Sequence, residues 1–391
     1  MTPELQMNVV KEAIDRYAQV LPNLHRHAKG YPDAEALQAI VKRGMTGVQF
    51  TLDKEDSAEV WAWIGEGKDT EGSEWIIEVV DQPDLRPVDV NVWGGPADLA
   101  QALWKVRETR SADALDEFVS KIRVHAIGDQ DDTGPWIREE FPDLFYILDS
   151  ARDGDKWQSC YRGMFMGGDM DLTSKAWIDA HVCEGHGPLG AFYPPETHTG
   201  KNPHKALKEG DTPSWFYFLE NGLNLPGVPS VGGWGGRFEK NGTFWQDAED
   251  TVNAETSGRA TVWRWRPAFQ RDFQARMDWC VQEQANHHPT VVVNGDSGKG
   301  VVEFSATSGD TVMLRASESS DPDGDTLSFV WFYYREAGTF EGDVAVNFSD
   351  AEAQIGIPEV ASGKTIHVIL EVTDDGDPPL TVHRRIVITV F

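Results

Sequence analysis

Apolar residues at Leu5, Val9, Ala13, Tyr17 and Val20 recur at three- and four-residue steps. That spacing predicts an amphipathic helix over residues 3–21, ended by Pro22 and Asn23. Pro32 and Asp33 open a second helix through Leu37, Ile40 and Val41 that stops at Gly44. Ser73 is the predicted cap of a helix through Trp75 to residue 80. Residues 87–92 form an apolar run read as a buried strand, Gly94, Gly95 and Pro96 a turn, and residues 97–106 a helix. Further strands are expected at 122–127 and 144–148. Strand, turn, helix and strand at this pitch predict a mostly parallel sheet with flanking helices, which is an α/β fold.

The pattern changes near Ala285, Asn286, His287, His288 and Pro289. Beyond it, short runs at 291–293, 312–314, 327–334, 365–372 and 385–390 alternate with Asp/Gly-rich turns. Several short strands between turn signals predict an all-β, immunoglobulin-like sandwich, and about a hundred residues is its usual size. Fourteen of the fifteen tryptophans precede residue 280, which strengthens the division. The expected domains are 1–286 and 287–391, with the boundary inside 283–292.

Composition narrows the functions. The 391 residues are 40% hydrophobic, in keeping with a folded chain. A formal charge of −29 repels phosphate backbones, so nucleic acid is excluded as a partner. No run is long and apolar enough for a membrane helix, and none of the early residues follow a signal-peptide pattern. Localisation is therefore unknown from the residues. Cys160, Cys183 and Cys280 lie far apart without zinc spacing, and their odd number leaves at least one unpaired within the chain. There is no HExxH, G-x-S-x-G, P-loop or GxGxxG after a strand.

Parallel sheets bind ligands at the carboxyl ends of their strands. Three loops are placed there: 93–96, 128–136 and 209–214. Asp129, Asp131 and Asp132 are the densest carboxylates among them. Such a group can supply a general base, hold a hard cation, or cap the following helix. Asp211 reads either as a turn residue or as a site carboxylate. Trp93, Trp136, Trp157 and Trp234 stand near glycine-rich turns, where an indole can stack on a sugar or instead fill the core. In the C-terminal part, Asp321, Asp323 and Asp325 resemble the start of a calcium loop but lack the EF-hand length and closing Glu. A β-turn is the first reading of that stretch and calcium the second.

Several of these segments together resemble one family. They are GEGKDTEGS (65–73), VWGG (92–95), AIGDQDDTGPW (126–136), PDLFY (142–146), HGPLG (186–190), EGDTPS (209–214) and GGWGGR (232–237). In this order they are similar to the bacterial cellulose-binding proteins with a nucleoside-hydrolase-like domain and a closing sandwich. The resemblance covers nearly the whole chain. It implies a nucleoside-hydrolase fold, a carbohydrate or nucleoside-like ligand, and a secreted or periplasmic location. It implies a glycosidic-bond hydrolase as the first functional reading and a non-catalytic carbohydrate-binding protein as the alternative. Under the hydrolase reading Asp129, Asp131 and Asp132, the carboxylates densest at a strand end, are the catalytic candidates. Trp93, Gly94, Trp136, Trp234 and Arg237 contact substrate, while Asp211 and the Gly95 carbonyl hold a metal. The family's Asp-rich first-strand motif has no counterpart here, since no Asp precedes Asp15. The resemblance implies calcium for the complete family form, and for this chain the expectation is weak calcium binding in the α/β domain.

Overall fold

The computed structural model describes residues 3–46, 57–194, 209–359 and 361–391. Helix α1 (Pro3–His27) runs straight through Pro22, past the expected stop. Proline removes one helical hydrogen bond, but packing outside the helix outweighs that loss. Val20 and Leu24 bury against Trp279 and Cys280, and Asn23 Nδ2 donates to the Trp279 carbonyl at 2.9 Å. Helix α2 (Ala34–Ile40) follows, with Asp33 at its N-cap position. In α3 (Glu71–Val80) the cap is Thr70, and Ser73 lies three residues further on. The two form a reciprocal box. Thr70 Oγ1 accepts the Ser73 N–H, and Ser73 Oγ accepts the Thr70 N–H, both at 2.9 Å.

The sheet begins with β1 (Val88–Val92), α4 (Ala97–Thr109), α5 (Ala112–Ser120), β2 (Ile122–Ala126), α6 (Thr133–Glu140) and β3 (Phe145–Leu148). Strands β1, β2 and β3 pair in parallel. Three short helices come next, α7 (Lys175–Ile178), α8 (Gly187–Gly190) and α9 (Thr212–Phe218). The hairpin β4 (Phe238–Asn241) and β5 (Phe244–Asp247) then completes a five-stranded sheet ordered β1-β2-β3-β5-β4. β5 is parallel to β3, and β4 is the antiparallel edge. The small ribbon β6 (Asp250–Val252) and β7 (Glu255–Ser257) leads into α10 (Ala260–Trp263) and α11 (Arg266–Asp278).

The period of two along each strand separates two apolar layers. Ile122, Val124 and Ala126 of β2, with Tyr146 and Leu148 of β3, face the layer built with Leu103 of α4. Ile147 points to the opposite layer, among Phe238, Trp265 and Phe269. His125 points the same way, edge-on to Tyr217 and Phe238.

Residues 281–289 are in neither helix nor strand. The all-β part comprises β8 (Val302–Ala306), β9 (Thr311–Arg315), β10 (Ser328–Tyr333), β11 (Ala345–Ser349), β12 (Glu352–Gly356), β13 (Thr365–Thr373) and β14 (Thr381–Val390). They form one sheet ordered β10-β13-β14-β8 and another ordered β11-β12-β9. All neighbours are antiparallel except β14 and β8. Leu314 and Ile355 from one sheet share a core with Trp331, Leu370 and Ile388 from the other, so the two sheets are a β-sandwich. Residues 291–293 make only isolated bridges and are not the opening strand that their valines predict.

The two parts also share apolar packing. Tyr334, Ala337 and Ile369 of the sandwich lie in one buried cluster with Trp234, Trp265 and Phe269. Arg385 of β14 is fully buried. It donates from Nε to the Leu223 carbonyl at 2.7 Å and from Nη2 to the Gly232 carbonyl at 2.9 Å. The three cysteines are all free thiols. Among the described residues no helix is long and apolar enough to cross a membrane.

Candidate functional site at the carboxyl edge of the sheet

The turn after β1 touches both of the other loops that strand-end geometry singles out. Trp93 Nε1 donates to Ser214 Oγ at 2.7 Å, and Ser214 Oγ donates to the Asp211 carbonyl at 2.9 Å. On the other side, Gly95 lies against Asp131. A Cβ at position 95 would fall 1.6 Å from Asp131 Oδ2, so only glycine fits there without moving the carboxylate. Gly94, at φ +138°, lets the chain turn between these contacts. Trp93 keeps 58% of its surface in solvent despite the hydrogen bond, and the neighbouring Trp215 keeps 48%.

The three candidate carboxylates of the second loop play different parts. Asp129 is clamped by Arg138, whose Nη1 and Nη2 donate to Oδ1 and Oδ2 at 2.8 and 2.7 Å. Both oxygens are engaged in a bidentate pair, which ties this loop to α6. Asp131 is buried, and its Oδ1 accepts the Thr133 N–H at 2.8 Å and the Thr133 hydroxyl at 2.6 Å. Its Oδ2, beside Gly95, has no hydrogen-bond partner. Burial pushes the Asp131 carboxyl up, partly offset by the Thr133 hydroxyl and amide. Asp132 occupies the N-cap position of α6 without a side-chain cap bond, and its buried Oδ1 is also unpartnered.

Three of the side chains expected to contact substrate are taken up by packing or pairing. Trp136 is a core residue of α6, its ring edge-on to Trp61 and Phe141. The indole sits where α6 packs on α4 and on residues 57–62, with the Arg107 guanidinium over its ring. Trp234 is buried edge-on to Phe216, Phe269 and His383, where the α/β part meets the sandwich. Arg237 donates from Nε to the fully buried Asp250 at 2.7 Å, so its charge is spent on a structural pair. Asp211 stands at the N-cap position of α9, where its charge acts on Tyr161.

A second group at the same sheet edge escaped the sequence reading. Asp149 directly follows β3, Asp247 ends β5, and Cys160 lies between them. All three are buried, and one ligand-type atom from each lies within 4.8 Å of the others. His125 Nε2 is 2.7 Å from Asp149 Oδ2. The Cys160 thiol contacts the other Asp149 oxygen. Asp247 Oδ2 accepts the Ser159 hydroxyl at 2.7 Å and the Cys160 N–H at 2.9 Å. Burial, then the charge of Asp149, holds the Asp247 carboxyl far above the usual range. Tyr161 joins this group to the third loop. Its phenol is pushed up to about 12 by burial, with Arg162 opposing and the charges of Asp149, Asp247 and Asp211 adding. Asp149 could have been found by the strand-end rule that selected Asp129. Asp247 could not, because the 238–247 hairpin carries no clear strand pattern.

The fold family implies a calcium ion, and the residues can be tested against it. Tight calcium sites use six to eight oxygens, several of them charged. Here both Asp129 oxygens are held by Arg138, and one Asp131 oxygen is committed to Thr133. Asp131 Oδ2, Asp132 Oδ1, the Asp211 carboxylate and a Gly95 carbonyl fall short of that number. The oxygens of these three loops alone do not fill a tight calcium shell, and no chemical step is derived through one.

Comparison with known proteins agrees with this architecture. Residues 1–238 match the family described as cellulose-binding Sde182, nucleoside hydrolase-like domain. Residues 311–390 match the family described as cellulose-binding protein Sde0182, C-terminal domain. A nucleoside hydrolase-related hypothetical protein from Saccharophagus degradans, described as associated with carbohydrate metabolism, is a solved structural neighbour. It is 37% identical, with 98% of this chain and 88% of that chain aligned at a TM-score of 0.80. Titin domain M7 aligns over 26% of this chain and 93% of its own at 12% identity, with a TM-score of 0.17 that carries no argument. No curated protein matches the chain. The chain thus has a nucleoside-hydrolase-like α/β fold followed by a β-sandwich, and it belongs to the Sde182 cellulose-binding, nucleoside-hydrolase-like family.

Proposed function

We propose that the chain binds a carbohydrate at the carboxyl edge of its parallel sheet, with Trp93 as the stacking surface. The observation that carries this reading is an indole 58% exposed yet fixed through its N–H by Ser214. An exposed ring held in one orientation loses little freedom when a sugar's C–H face packs on it. Trp215, next to Ser214 and half exposed, adds a second aromatic surface. The cellulose-binding description of the family supports a saccharide over a nucleoside. The test is titration of the full chain with cello-oligosaccharides and, separately, nucleosides, comparing wild type with Trp93→Ala. Stacking is worth ~0.5–1.5 kcal/mol beyond area burial. With the lost area added, affinity should fall about tenfold or more. Unchanged saccharide affinity in Trp93→Ala would place the ligand elsewhere, the sandwich included.

Glycosidic-bond hydrolysis is the second reading, and Asp247 is the observation that favours it. A general acid must hold its proton near neutral pH, and burial beside Asp149 gives Asp247 that property. This reading requires the group to become open to substrate. Incubation with nucleosides and oligosaccharides, with Asp247→Asn as control, tests it. Product formed equally by both proteins would rule out Asp247 as the acid.

The division into an α/β unit, 1–286, and an immunoglobulin-like unit, 287–391, belongs to the same proposal. It is supported by the run at 281–289, which is in neither helix nor strand, and by the separate sandwich core.

A further inference from the structure

We propose that the end of the sandwich beside the linker binds one calcium ion, held between the 321–325 loop and Asp374 with Asp375. Asp321, Asp323 and Asp325 each present a carboxylate oxygen, and these oxygens lie within 4.8 Å of one another. Three converging acids alone would be a solvated turn. The loop's own bonds account for one oxygen only, since Asp321 Oδ1 accepts the amides of Asp323, Gly324 and Asp325 at 2.7, 3.1 and 3.3 Å.

The second observation comes from another element. Asp374 follows β13 and is only 3% exposed. Its Oδ1 takes three N–H donors, from Asn286, Gly376 and Leu380, at 2.9, 3.0 and 2.9 Å. Its Oδ2 is buried and has no hydrogen-bond partner. An anionic oxygen withdrawn from water without a donor is costly, and a cation removes that cost. The adjacent residues Asn286 and His287 join Asp374 and the loop, Asn286 Nδ2 donating to Asp374 Oδ1 and the His287 N–H to Asp323 Oδ2. Asp321 Oδ2 is a second buried oxygen without a partner. Asp375 Oδ1 accepts the Thr326 N–H at 2.7 Å, which ties the two segments together.

Nothing nearby neutralises five carboxylates. Among the described residues the one ion pair they make is Asp323 with His287, at 3.0 Å. The donor set is all oxygen, largely charged and spread over two loops. That suits calcium, which accepts six to eight oxygens in flexible geometry, better than magnesium or a thiolate-seeking metal. The site also grips the linker. His287 N–H donates to Asp323 Oδ2 at 2.8 Å, and Asn286 Nδ2 donates to Asp374 Oδ1. A bound ion would therefore stiffen the joint between the two parts of the chain.

The test is calcium titration of the chelator-treated full chain at physiological salt, with wild type, Asp325→Asn, Asp375→Asn and Asp211→Asn. Wild type should take up one equivalent. Asp325→Asn and Asp375→Asn should each weaken uptake by at least about tenfold, because ligand charge sets affinity in such sites. Asp211→Asn, in the α/β part, should leave it unchanged. Thermal melting supplies an independent reading in which the two effects of Asp325→Asn have opposite signs. Without calcium the variant should melt higher than wild type, since a repelled charge is gone, and its gain on adding calcium should be smaller. No uptake by wild type would overturn the proposal. So would uptake that survives Asp325→Asn and Asp375→Asn, uptake lost in Asp211→Asn, or a variant that melts lower without calcium.

Discussion

Asp250→Asn should be among the most damaging single-atom changes in this chain. Asp250 opens β6 with no exposed side-chain surface, between two arginines that are 12% and 14% exposed. Its Oδ1 accepts Arg237 Nε at 2.7 Å, and its Oδ2 accepts Arg264 Nη1 at 2.8 Å and the Tyr334 hydroxyl at 2.6 Å. Tyr334 belongs to the sandwich, so the group bridges both parts. Asparagine keeps the shape and one acceptor, but it removes the charge that two buried guanidinium groups face. It also turns an N–H₂ toward one of them, donor against donor. Breaking a buried pair on one side costs about 3–5 kcal/mol, a large share of the ~5–15 kcal/mol that holds a typical protein folded. Equilibrium denaturation followed by tryptophan fluorescence should show this loss at neutral pH. The pH dependence checks the cause. Burial raises the Asp250 carboxyl, but Arg237, Arg264 and the Tyr334 hydroxyl together more than offset this and leave it below its ordinary value. Stability from such a group is fully present above the unfolded value of about 3.9 and is lost as pH falls through the folded one. Wild type and variant should therefore converge in strong acid. A loss below about 1 kcal/mol at neutral pH would refute the reasoning, since that is the scale of an exposed pair.

Gly95→Ala should destabilise the α/β part by about 1–3 kcal/mol, the usual cost of overpacking, because its Cβ meets the buried Asp131 carboxylate; thermal melting measures it. Cys160 should resist thiol reagents until the protein unfolds, since burial and then the charges of Asp149 and Asp247 raise its thiol, while the less buried Cys183 reacts first. Mass spectrometry of timed alkylation reads the order. Burial and then the Arg385 charge lower His367 to about 3, against roughly 6.5 when unfolded. The unfolded chain binds the extra proton between those values, so this group's stability is lost as pH falls from about 6.5 toward 3. His367→Gln should flatten the unfolding midpoint's dependence on pH across that window.

Elements with strong local signals were legible. Residues 97–106 and 122–127 fell where α4 and β2 are, because largely apolar runs of helix and strand length coincide there with burial on nearly every side. Pro22 misled because its local penalty is smaller than the packing of Val20 and Leu24 on residues some 250 positions away, as the 256-residue span of the Asn23 bond illustrates. Trp136, Trp234 and Arg237 misled for one reason. Residue type near a glycine turn says that an aromatic or a charge is there, not which way it points. Only Trp93 among the candidate indoles is both at the edge and largely exposed. The Asp149, Cys160 and Asp247 group was hidden because its members are 11 and 87 residues apart and are joined by sheet order, with β5 inserted beside β3. That neighbour relation has no local signature.

The buried Arg385 imposes an order of events on a chain made from its N-terminus. The Leu223 and Gly232 carbonyls that it holds are synthesised 162 and 153 residues earlier. Until β14 emerges from the ribosome, that segment lacks its partners, and the apolar cluster around Trp234 lacks Tyr334 and Ile369. Closing contacts over such separations is entropically slow. The nascent α/β part must therefore persist with a sticky, unfinished flank, and this is the surface on which a molecular chaperone would act.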